Sequence, residues 1–419
     1  MSTTVFSLLV IGMILIQVAG FAAFKLYRYQ ARYQALECGD TAVRVPAAVP
    51  GPSRHPTESP AWTGYRDFVV RRRITEDAAG SVCSYYLFPV DGEPLPDFRP
   101  GQYLTFALDL PAAADQAGKP LVRCYSLSDR PRPDCYRVSI KRIPAPPGRP
   151  ELTPGRGSGH FHDAVVAGTR LAVKAPSGHF HLHDDCTRPI VLIAGGIGIT
   201  PLLSMLNTLA HRRDPREVWL FYGVRNGTEH IMKGHLQSLR DTHPGLRLHL
   251  CYGDPSEQDR AGVDYDHRGW LDIHLLRQTL PFGRYAFYVC GPPPMMETLI
   301  PALEAAGVSP EDIHYETFGP ASLKRRPASS DAPAVSTAEV RFSRSGKTLP
   351  WGSAGSLLEL AEDAGIAVES GCRAGSCGCC QTALESGEVR YSQTPDAEIA
   401  PGHCLLCIAE PTTDVTLKL

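Results

Sequence analysis

The chain has 419 residues and a formal net charge of −2, and hydrophobic residues make up 43% of it. This length predicts two to four domains of ordinary globular composition. The near-neutral charge argues against a nucleic-acid-binding protein, which would carry a basic excess. The chain has 13 cysteines, and four of them have the spacing of a metal cluster that needs reduced thiolates. We therefore expect a reducing compartment rather than a secreted disulfide protein.

Near the start of the chain, residues 5–24 form an apolar stretch without a charged side chain. A helix of this length rises about 30 Å, the thickness of the bilayer hydrocarbon core. Lys25, Arg28 and Arg32 follow it, and basic residues on this side predict that the rest of the chain is cytoplasmic. A cleaved signal peptide would need a basic start and a shorter apolar core. The sequence therefore predicts a transmembrane helix in the inner (cytoplasmic) membrane, single-pass, with residues 25–60 as a linker.

Two regions with different sequence patterns follow the linker. Residues 61–183 contain short β-like runs separated by Pro and Gly, which is typical of a small antiparallel β-barrel. Residues 184–320 alternate apolar strands with helices, which is typical of a doubly wound parallel α/β domain. The predicted barrel strands include residues 82–88, 102–108, 136–140 and 170–173. The predicted elements of the α/β region are residues 191–194, 200–211, 218–222, 230–240, 246–252, 273–278, 285–289 and 294–306.

A flavin site is predicted in the barrel from the sequence R-x-Y-S. Arg123 supplies a fixed guanidinium for a phosphate, and Tyr125 supplies a flat ring to lie against an isoalloxazine. The hydroxyl of Ser126 would then be in reach of the flavin N5. Backbone N–H groups of a nearby Gly-rich loop can form an anion-binding nest. The additional predicted phosphate contacts are Lys141, Gly157 and Ser158.

A nicotinamide coenzyme site is predicted where the first parallel strand meets its helix. Glycines there let the backbone approach a pyrophosphate, and the N-terminus of the helix favours the anion. We expect Thr200 to cap this helix and Pro201 to lie in its first turn. Arg225 is placed for the 2′-phosphate of NADPH or is a solvated loop charge, so NADH and NADPH both stay open, with NADH favoured. The glycines of this turn are Gly195, Gly196 and Gly198.

The last region, residues 337–419, follows a linker at residues 321–336 and contains the most specific motif of the chain. Three cysteines in C-x4-C-x2-C spacing and a fourth farther on match a plant-type [2Fe-2S] cluster. Structural zinc, the alternative, is usually held by two CxxC pairs. We expect a β-grasp [2Fe-2S] ferredoxin domain with a hairpin at residues 339–351 and a helix at residues 357–364. The predicted ligands are Cys372, Cys377, Cys380 and Cys407, with Cys404 as the alternative fourth ligand.

Residues 62–319 resemble the ferredoxin-NADP reductase family. Within them, residues 102–104, 123–128 and 139–142 are most similar to the reductase portion of flavohaemoglobins. The Gly-rich turn has the family's G-G-x-G-x-T-P form rather than the G-x-G-x-x-G fingerprint. The resemblance implies FAD as the flavin; FMN is the alternative, because related phthalate dioxygenase reductases use it and also carry a C-terminal ferredoxin. The context of Cys407 likewise resembles that of the fourth ligand in plant-type ferredoxins.

The resemblance also implies roles for residues after the last long strands. Cys290 belongs to a C-G-P-x-x-M segment, which in the family places its cysteine beside the nicotinamide C4, with Gly291 in the coenzyme site. A buried structural thiol is the alternative for Cys290. Glu316 and Phe318 would lie near the flavin edge. Ser126 and Cys290 are therefore the candidate catalytic residues, as groups that orient the stacked rings.

These sites together predict an NAD(P)H-dependent oxidoreductase that passes electrons through a flavin to a [2Fe-2S] cluster, since a flavin exchanges both hydrides and single electrons. Residues 337–419 contain 6 Lys or Arg and 11 Asp or Glu, a difference of −5. An acidic surface suits docking on a basic acceptor, or serves only solubility. The expected acceptor is an oxygenase, a desaturase, a haem protein or a quinone at the membrane. The alternatives are a membrane-held redox sensor and an NADH-quinone type reductase.

Overall fold

The computed structural model describes residues 62–110, 120–145, 154–184, 187–318, 338–352, 354–375, 377–393, 395 and 397–419. All of the described residues belong to one compact unit, Glu58–Leu419. Their strands form two six-stranded sheets, a five-stranded sheet and a two-stranded sheet.

The first sheet is antiparallel. Its strands are β1 (Arg66–Thr75), β2 (Val82–Pro89), β3 (Tyr103–Leu108), β4 (Leu121–Ser126), β5 (Tyr136–Lys141) and β6 (Arg170–Ser177). They follow the order β4-β3-β6-β1-β2-β5, and a bridge between Leu127 and Val138 joins the two ends of that order. The sheet therefore closes into a barrel. Helix α1 (Arg156–Asp163) places Phe161 in the barrel core, where its ring contacts Tyr85 and Phe106.

The second sheet is parallel and has the order β10-β9-β8-β7-β11-β12. Its strands are β7 (Ile190–Gly195), β8 (Val218–Val224), β9 (Leu246–Tyr252), β10 (His267–Arg268), β11 (Ala286–Gly291) and β12 (Ile313–Thr317). Its helices are α2 (Ile199–Arg212), α3 (Lys233–Thr242), α4 (Ile273–Thr279) and α5 (Pro293–Ala305). All of β7 is buried, because apolar clusters cover both faces of the sheet. The strand order reverses beside β7, and ligands bind outside the carboxyl ends of strands at such a switch point.

The C-terminal region is built around a five-stranded sheet and one helix. Its elements are β13 (Glu339–Phe342), β14 (Lys347–Pro350), α6 (Leu357–Asp363), β15 (Gln381–Ser386), β16 (Val389–Tyr391), β17 (His403–Leu405), β18 (Ala409–Pro411) and β19 (Val415–Leu417). The sheet order is β14-β13-β19-β15-β17, and β13 and β19 are parallel neighbours at its centre. Ser356 caps α6 by accepting a hydrogen bond from the Glu359 N–H at 3.3 Å. Leu357 and Leu358 of this helix are buried in the core of the region.

These sheets confirm the predicted fold classes, while some element bounds differ. The helix predicted at residues 230–240 begins at Lys233, because Met232 has a left-handed backbone with φ of 52°. The strand predicted at residues 170–173 continues to Ser177, because it pairs with β3 as well as β1. The linkers predicted at residues 25–60 and 321–336 lie outside the described residues. The domain boundaries stay predictions.

The predicted transmembrane helix at residues 5–24 also lies outside the described residues. In the part of the chain that the structure describes, no helix is long and apolar enough to cross a membrane. The longest of these helices, α2, has 14 residues and rises about 21 Å, less than the about 30 Å of a bilayer core. This finding contradicts the prediction of a single-pass inner-membrane protein with cytoplasmic catalytic domains.

We expect Phe161→Ala to destabilise the barrel by about 3–5 kcal/mol, because a large aromatic ring is removed from a packed core. The Phe161 ring is fully buried and lies 5.1 Å from Tyr85 and 5.4 Å from Phe106, measured between centroids. The matched control is Phe282→Ala, whose side chain is fully exposed; it should change the free energy of unfolding by less than about 0.5 kcal/mol. Urea denaturation measures both. Equal destabilisation by the two variants would contradict this packing.

Candidate functional site

Strand β4 carries the predicted flavin residues where the barrel meets α1. The half-buried guanidinium of Arg123 donates to the Val122 carbonyl at 2.7 Å, and no carboxylate among the described residues forms an ion pair with it. A Cβ at Gly157 would lie 2.8 Å from Arg123 Cγ and 3.0 Å from the Tyr125 hydroxyl, so the first turn of α1 lies directly on both side chains. A guanidinium without a carboxylate partner, beside a helix N-terminus, fits a phosphate group.

The hydroxyl of Ser158 is already used within the protein. It donates to the Gly155 carbonyl at 3.1 Å and accepts from the Ile143 N–H at 3.1 Å. A hydroxyl has one proton to donate, so this side chain holds the chain ahead of α1 together rather than presenting a free donor. A phosphate at this end of α1 would therefore meet backbone N–H groups.

Two predicted cation contacts converge on one carboxylate. Lys141 Nζ lies 3.0 Å from Glu229 Oε2, and Arg225 Nε lies 3.5 Å from Glu229 Oε1. The sequence analysis missed Glu229. The signal that could have found it was its spacing four residues after Arg225, but the pairing with Lys141 joins two different domains and has no local signature. Glu229 thus links the barrel to the α/β domain and lowers the net positive charge beside both cations.

The Gly-rich turn after β7 packs against the segment that follows β11. A Cβ at Gly195 would lie 2.6 Å from Pro292 Cδ, and one at Gly198 would overlap the Cys290 carbonyl. These two glycines are required because two backbones approach closely. Gly196 differs, since its φ is 51° and nothing lies within 4 Å of its Cβ position. It therefore faces open space at the carboxyl edge of the sheet and fits a backbone approach to a pyrophosphate.

The helix after this turn begins one residue earlier than expected. Helix α2 starts at Ile199 with Gly198 as its N-cap. Thr200 donates back to the Ile197 carbonyl at 3.0 Å, so the capping role predicted for it was wrong. Pro201 lies in the first turn as predicted. The Ile199 N–H at its start donates to the Gly196 carbonyl, and the N–H groups that follow it in the first turn have no partner within the helix.

Side chains from three strands meet where β4, β11 and β12 end. The Ser126 hydroxyl donates to Glu316 Oε2 at 3.5 Å, and Glu316 is paired in register with Cys290. Burial raises the pKa of Glu316 to about 8, and the hydrogen bond from Ser126 acts in the opposite direction. Burial, and then the charge of Glu316, raise the pKa of Cys290. Gly291 ends β11 against Met295, and Phe318 packs against the sheet core.

This convergence brings the two predicted catalytic residues to one place. Glu316 contacts Ser126 and is in register with Cys290, while its place at the flavin edge stays a prediction. At neutral pH the Cys290 thiol and most of the Glu316 carboxyl are protonated, so the site is uncharged at this point.

The four predicted cluster cysteines meet in two pairs. The N–H of Cys377 donates to Cys372 Sγ at 3.3 Å, and the N–H of Cys372 donates to Cys377 Sγ at 3.2 Å. The thiols of Cys380 and Cys407 are hydrogen-bonded to each other. Cys404 lies in β17 in register with Thr382, and the thiol that is hydrogen-bonded to Cys380 is that of Cys407.

Two separate pairs of thiols suit two irons better than one tetrahedral ion. Among the described residues, no group of three or more ligating side chains is close enough to hold a single metal ion. The loop keeps its shape through residues with left-handed backbone, Arg373 with φ of 54° and Gly375 with φ of 73°. Arg373 also donates to Glu362 on α6 at 2.9 Å. The donor set therefore fits a [2Fe-2S] cluster.

The cysteine loop also contacts strand β4. The Cys124 thiol is hydrogen-bonded to the thiols of Cys372 and Cys377, and a Cβ at Gly371 would lie 3.6 Å from Val122 Cγ1. The sequence analysis assigned no role to Cys124, because it occupies the variable position of R-x-Y-S. The strand that carries the predicted flavin residues thus also contacts the loop of the predicted cluster ligands.

Comparisons with known proteins agree with this arrangement. Residues 192–299 match the family of oxidoreductase NAD-binding domains, and residues 340–412 match the family of 2Fe-2S iron-sulfur cluster binding domains. The flavohemoprotein of Rhizobium meliloti (strain 1021) is 38% identical over 259 residues, 62% of this chain and 62% of that protein. The chain thus spans less than two thirds of the curated flavohemoproteins that it matches.

Two solved structures are similar in fold. The flavohem-like FAD/NAD binding domain of nitric oxide dioxygenase from Vibrio cholerae O1 biovar El Tor has a TM-score of 0.53 and 32% identity, covering 61% of this chain and 100% of that chain. Phthalate dioxygenase reductase, described as a modular structure for electron transfer from pyridine nucleotides to [2Fe-2S], has a TM-score of 0.50 and 25% identity. That match covers 85% of this chain and 98% of that chain. With the site geometry, the matches support FAD, a [2Fe-2S] cluster and NADH or NADPH as cofactors.

We expect Cys407→Ala to lose iron and acid-labile sulfide, because Cys407 is paired with Cys380. The matched control is Cys404→Ala, whose thiol lies in the hydrophobic core and should leave the cluster content unchanged. Iron, sulfide and visible absorbance per chain measure both variants. Loss of the cluster in Cys404→Ala with retention in Cys407→Ala would contradict this ligand set.

Glu316 should make stability depend on pH. Its pKa is raised in the folded state from an ordinary 4.5 to about 8, so the folded chain holds a proton that the unfolded chain releases. The contribution is fully present below about pH 4.5 and is lost as pH rises to about 8. As pH rises between these limits, the midpoint temperature of thermal unfolding should therefore fall less for Glu316→Gln than for the wild type. The control is the exposed Glu311→Gln, and equal pH slopes for all three proteins would refute the assignment.

Proposed function

The chain belongs to the ferredoxin-NADP reductase family and carries a C-terminal 2Fe-2S iron-sulfur cluster binding domain, and we propose that it is an NAD(P)H-dependent reductase. It passes electrons through FAD to its own cluster and then to a separate acceptor protein. The observation that carries this proposal is strand β4. Ser126 on this strand contacts Glu316 of the α/β domain, and Cys124 contacts the cysteine loop. A hydride entry site and a single-electron outlet would therefore share one rigid element.

Each cofactor would be held by residues already described. FAD would lie against Tyr125, with Arg123 and the N-terminus of α1 at its phosphates and Ser126 at the reactive edge of its ring. The coenzyme would bind at Gly196 and the N-terminus of α2, with Cys290 beside its nicotinamide. When bound, the flavin and the cluster supply the conversion between hydride and single-electron transfer, which no side chain provides.

The side chains of the site orient rings and exclude water. The Tyr125 ring is held by edge-to-face contact with Phe161, at a centroid distance of 5.1 Å, so its plane is fixed before any ligand binds. Cys290 is fully buried and Glu316 is mostly protonated at neutral pH. Neither group needs to move a proton during hydride transfer, and fixed orientation is the contribution that such a step requires.

We infer that NADH is the preferred coenzyme. Glu229 pairs with Arg225 and with Lys141, so the positive charge of Arg225 is already partly neutralised. A 2′-phosphate placed beside Arg225 would also meet the negative charge of Glu229, and like charges at close range repel. The adenosine ribose of NADH carries no such phosphate.

We propose an oxygenase, a desaturase or a haem protein as the acceptor, with a quinone as the alternative. The support is chemical: the cluster region has 6 Lys or Arg against 11 Asp or Glu, a difference of −5, and an acidic surface steers a basic partner to it. The similarity to a protein named phthalate dioxygenase reductase agrees with an oxygenase component. Association should then weaken at high ionic strength.

Anaerobic reduction of the purified full chain tests the proposal. Adding NADH should bleach the flavin absorbance and produce the electron paramagnetic resonance signal of a reduced [2Fe-2S] cluster, and NADPH should do so more slowly. The matched variant Cys407→Ala should still show flavin bleaching but no cluster signal. If the wild type contains both cofactors and neither NADH nor NADPH reduces them, the proposed function is wrong.

A further inference from the structure

Three side chains stand in a transverse row across adjacent barrel strands. Thr105 of β3 is in register with Lys174 of β6 on one side and with Cys124 of β4 on the other. Residues directly opposite each other in antiparallel strands project from the same face of a sheet. The Thr105 hydroxyl and the Cys124 thiol lie 3.3 Å apart. The row Lys174–Thr105–Cys124 is therefore fixed by backbone pairing and not by the flexible ends of side chains.

Both ends of this row contact the cysteine loop. Lys174 Nζ donates to the Cys377 carbonyl at 2.9 Å. The Cys124 thiol is hydrogen-bonded to the thiols of Cys372 and Cys377. Both of these sulfurs also accept backbone N–H groups of the loop, and a ligating thiolate has no proton to give. With the cluster bound, Cys124 would therefore be the donor, and its single S–H would be shared between these two acceptor sulfurs.

The positive charge of Lys174 at this contact favours the reduced form of the cluster. Lys174 lies over the Tyr65 ring at 5.4 Å, and within the described residues no carboxylate forms an ion pair with it. Its positive charge is therefore left to act on the loop. Hydrogen bonds to sulfur and nearby charge are two of the factors that set the potential of iron–sulfur clusters. A donor or a cation stabilises the reduced cluster more, because reduction adds one negative charge.

We propose that Cys124 and Lys174 are positioning residues that hold the cysteine loop on the flavin strand and raise the reduction potential of the cluster. Cys124 acts through its S–H donor and Lys174 through its charge and its hydrogen bond to Cys377. This inference rests on the proposed function, since it requires the cluster. It assigns Cys124 no ligand role, because Cys372, Cys377, Cys380 and Cys407 already provide two pairs of thiols.

Redox titration of the full chain, followed by the paramagnetic signal of the cluster, tests this inference. Cys124→Val removes the donor and keeps an apolar side chain, Cys124→Ser keeps a donor, and Lys174→Met removes the charge. Cys124→Val and Lys174→Met should each lower the electron-binding constant of the cluster about tenfold, which for one electron is about 59 mV toward more negative potential. Cys124→Ser should shift it less. The flavin potential should stay unchanged in all three variants.

The matched control is Cys83→Val, because Cys83 is a buried barrel thiol whose contacts are with Arg73 and Thr75 on β1. It should leave the cluster potential at the wild-type value. Wild-type potentials in both Cys124→Val and Lys174→Met would overturn the inference. So would loss of iron from Cys124→Val, since Cys124 would then be a ligand. A wild-type chain that never acquires a cluster would refute the proposed function itself, which separates the two failures.

Discussion

The arrangement of the whole molecule depends on strand β4 and on the two-residue period of its side chains. Arg123 and Tyr125 face helix α1, whereas Val122 and Cys124 face the cysteine loop. Ser126 ends the strand and reaches the α/β domain through Glu316. A strand of six residues can therefore serve a flavin on one face and an iron–sulfur loop on the other.

The contacts between the barrel and the α/β domain keep this strand in a fixed relation to the coenzyme site. The Asn207 side-chain N–H donates to Asp129 Oδ1 at 2.9 Å, and the Ser204 hydroxyl donates to the Asp129 carbonyl at 2.8 Å. Asp129 follows β4 closely in the chain, and both donors belong to α2. The helix whose N-terminus would hold a pyrophosphate is thus bonded directly to the segment after the flavin strand. The pair Lys141–Glu229 adds a second connection between the two domains.

Much of this protein could be predicted because its signals are local. The barrel, the parallel sheet and the C-terminal region could be predicted from the periods of apolar residues. These periods depend only on residues that are close in sequence within each strand or helix. Three of the four predicted cluster cysteines lie close together in one loop, so their spacing is also a local signal. Element bounds such as the start of α3 at Lys233 were less predictable, because a single left-handed residue, Met232, sets them.

The sequence by itself determined the fold classes and the residue types that a flavin, a nicotinamide coenzyme and a [2Fe-2S] cluster need. Only the tertiary structure decided how those residues are used. In the folded chain Cys404 is buried in the core and Cys407 lies beside Cys380. The Ser158 hydroxyl is hydrogen-bonded to backbone partners. The tertiary structure also placed Cys124 against the cluster ligands. The physical reason is that a hydroxyl or thiol has no preferred partner until strands far apart in the chain pair, and pairing alone fixes which face each side chain takes.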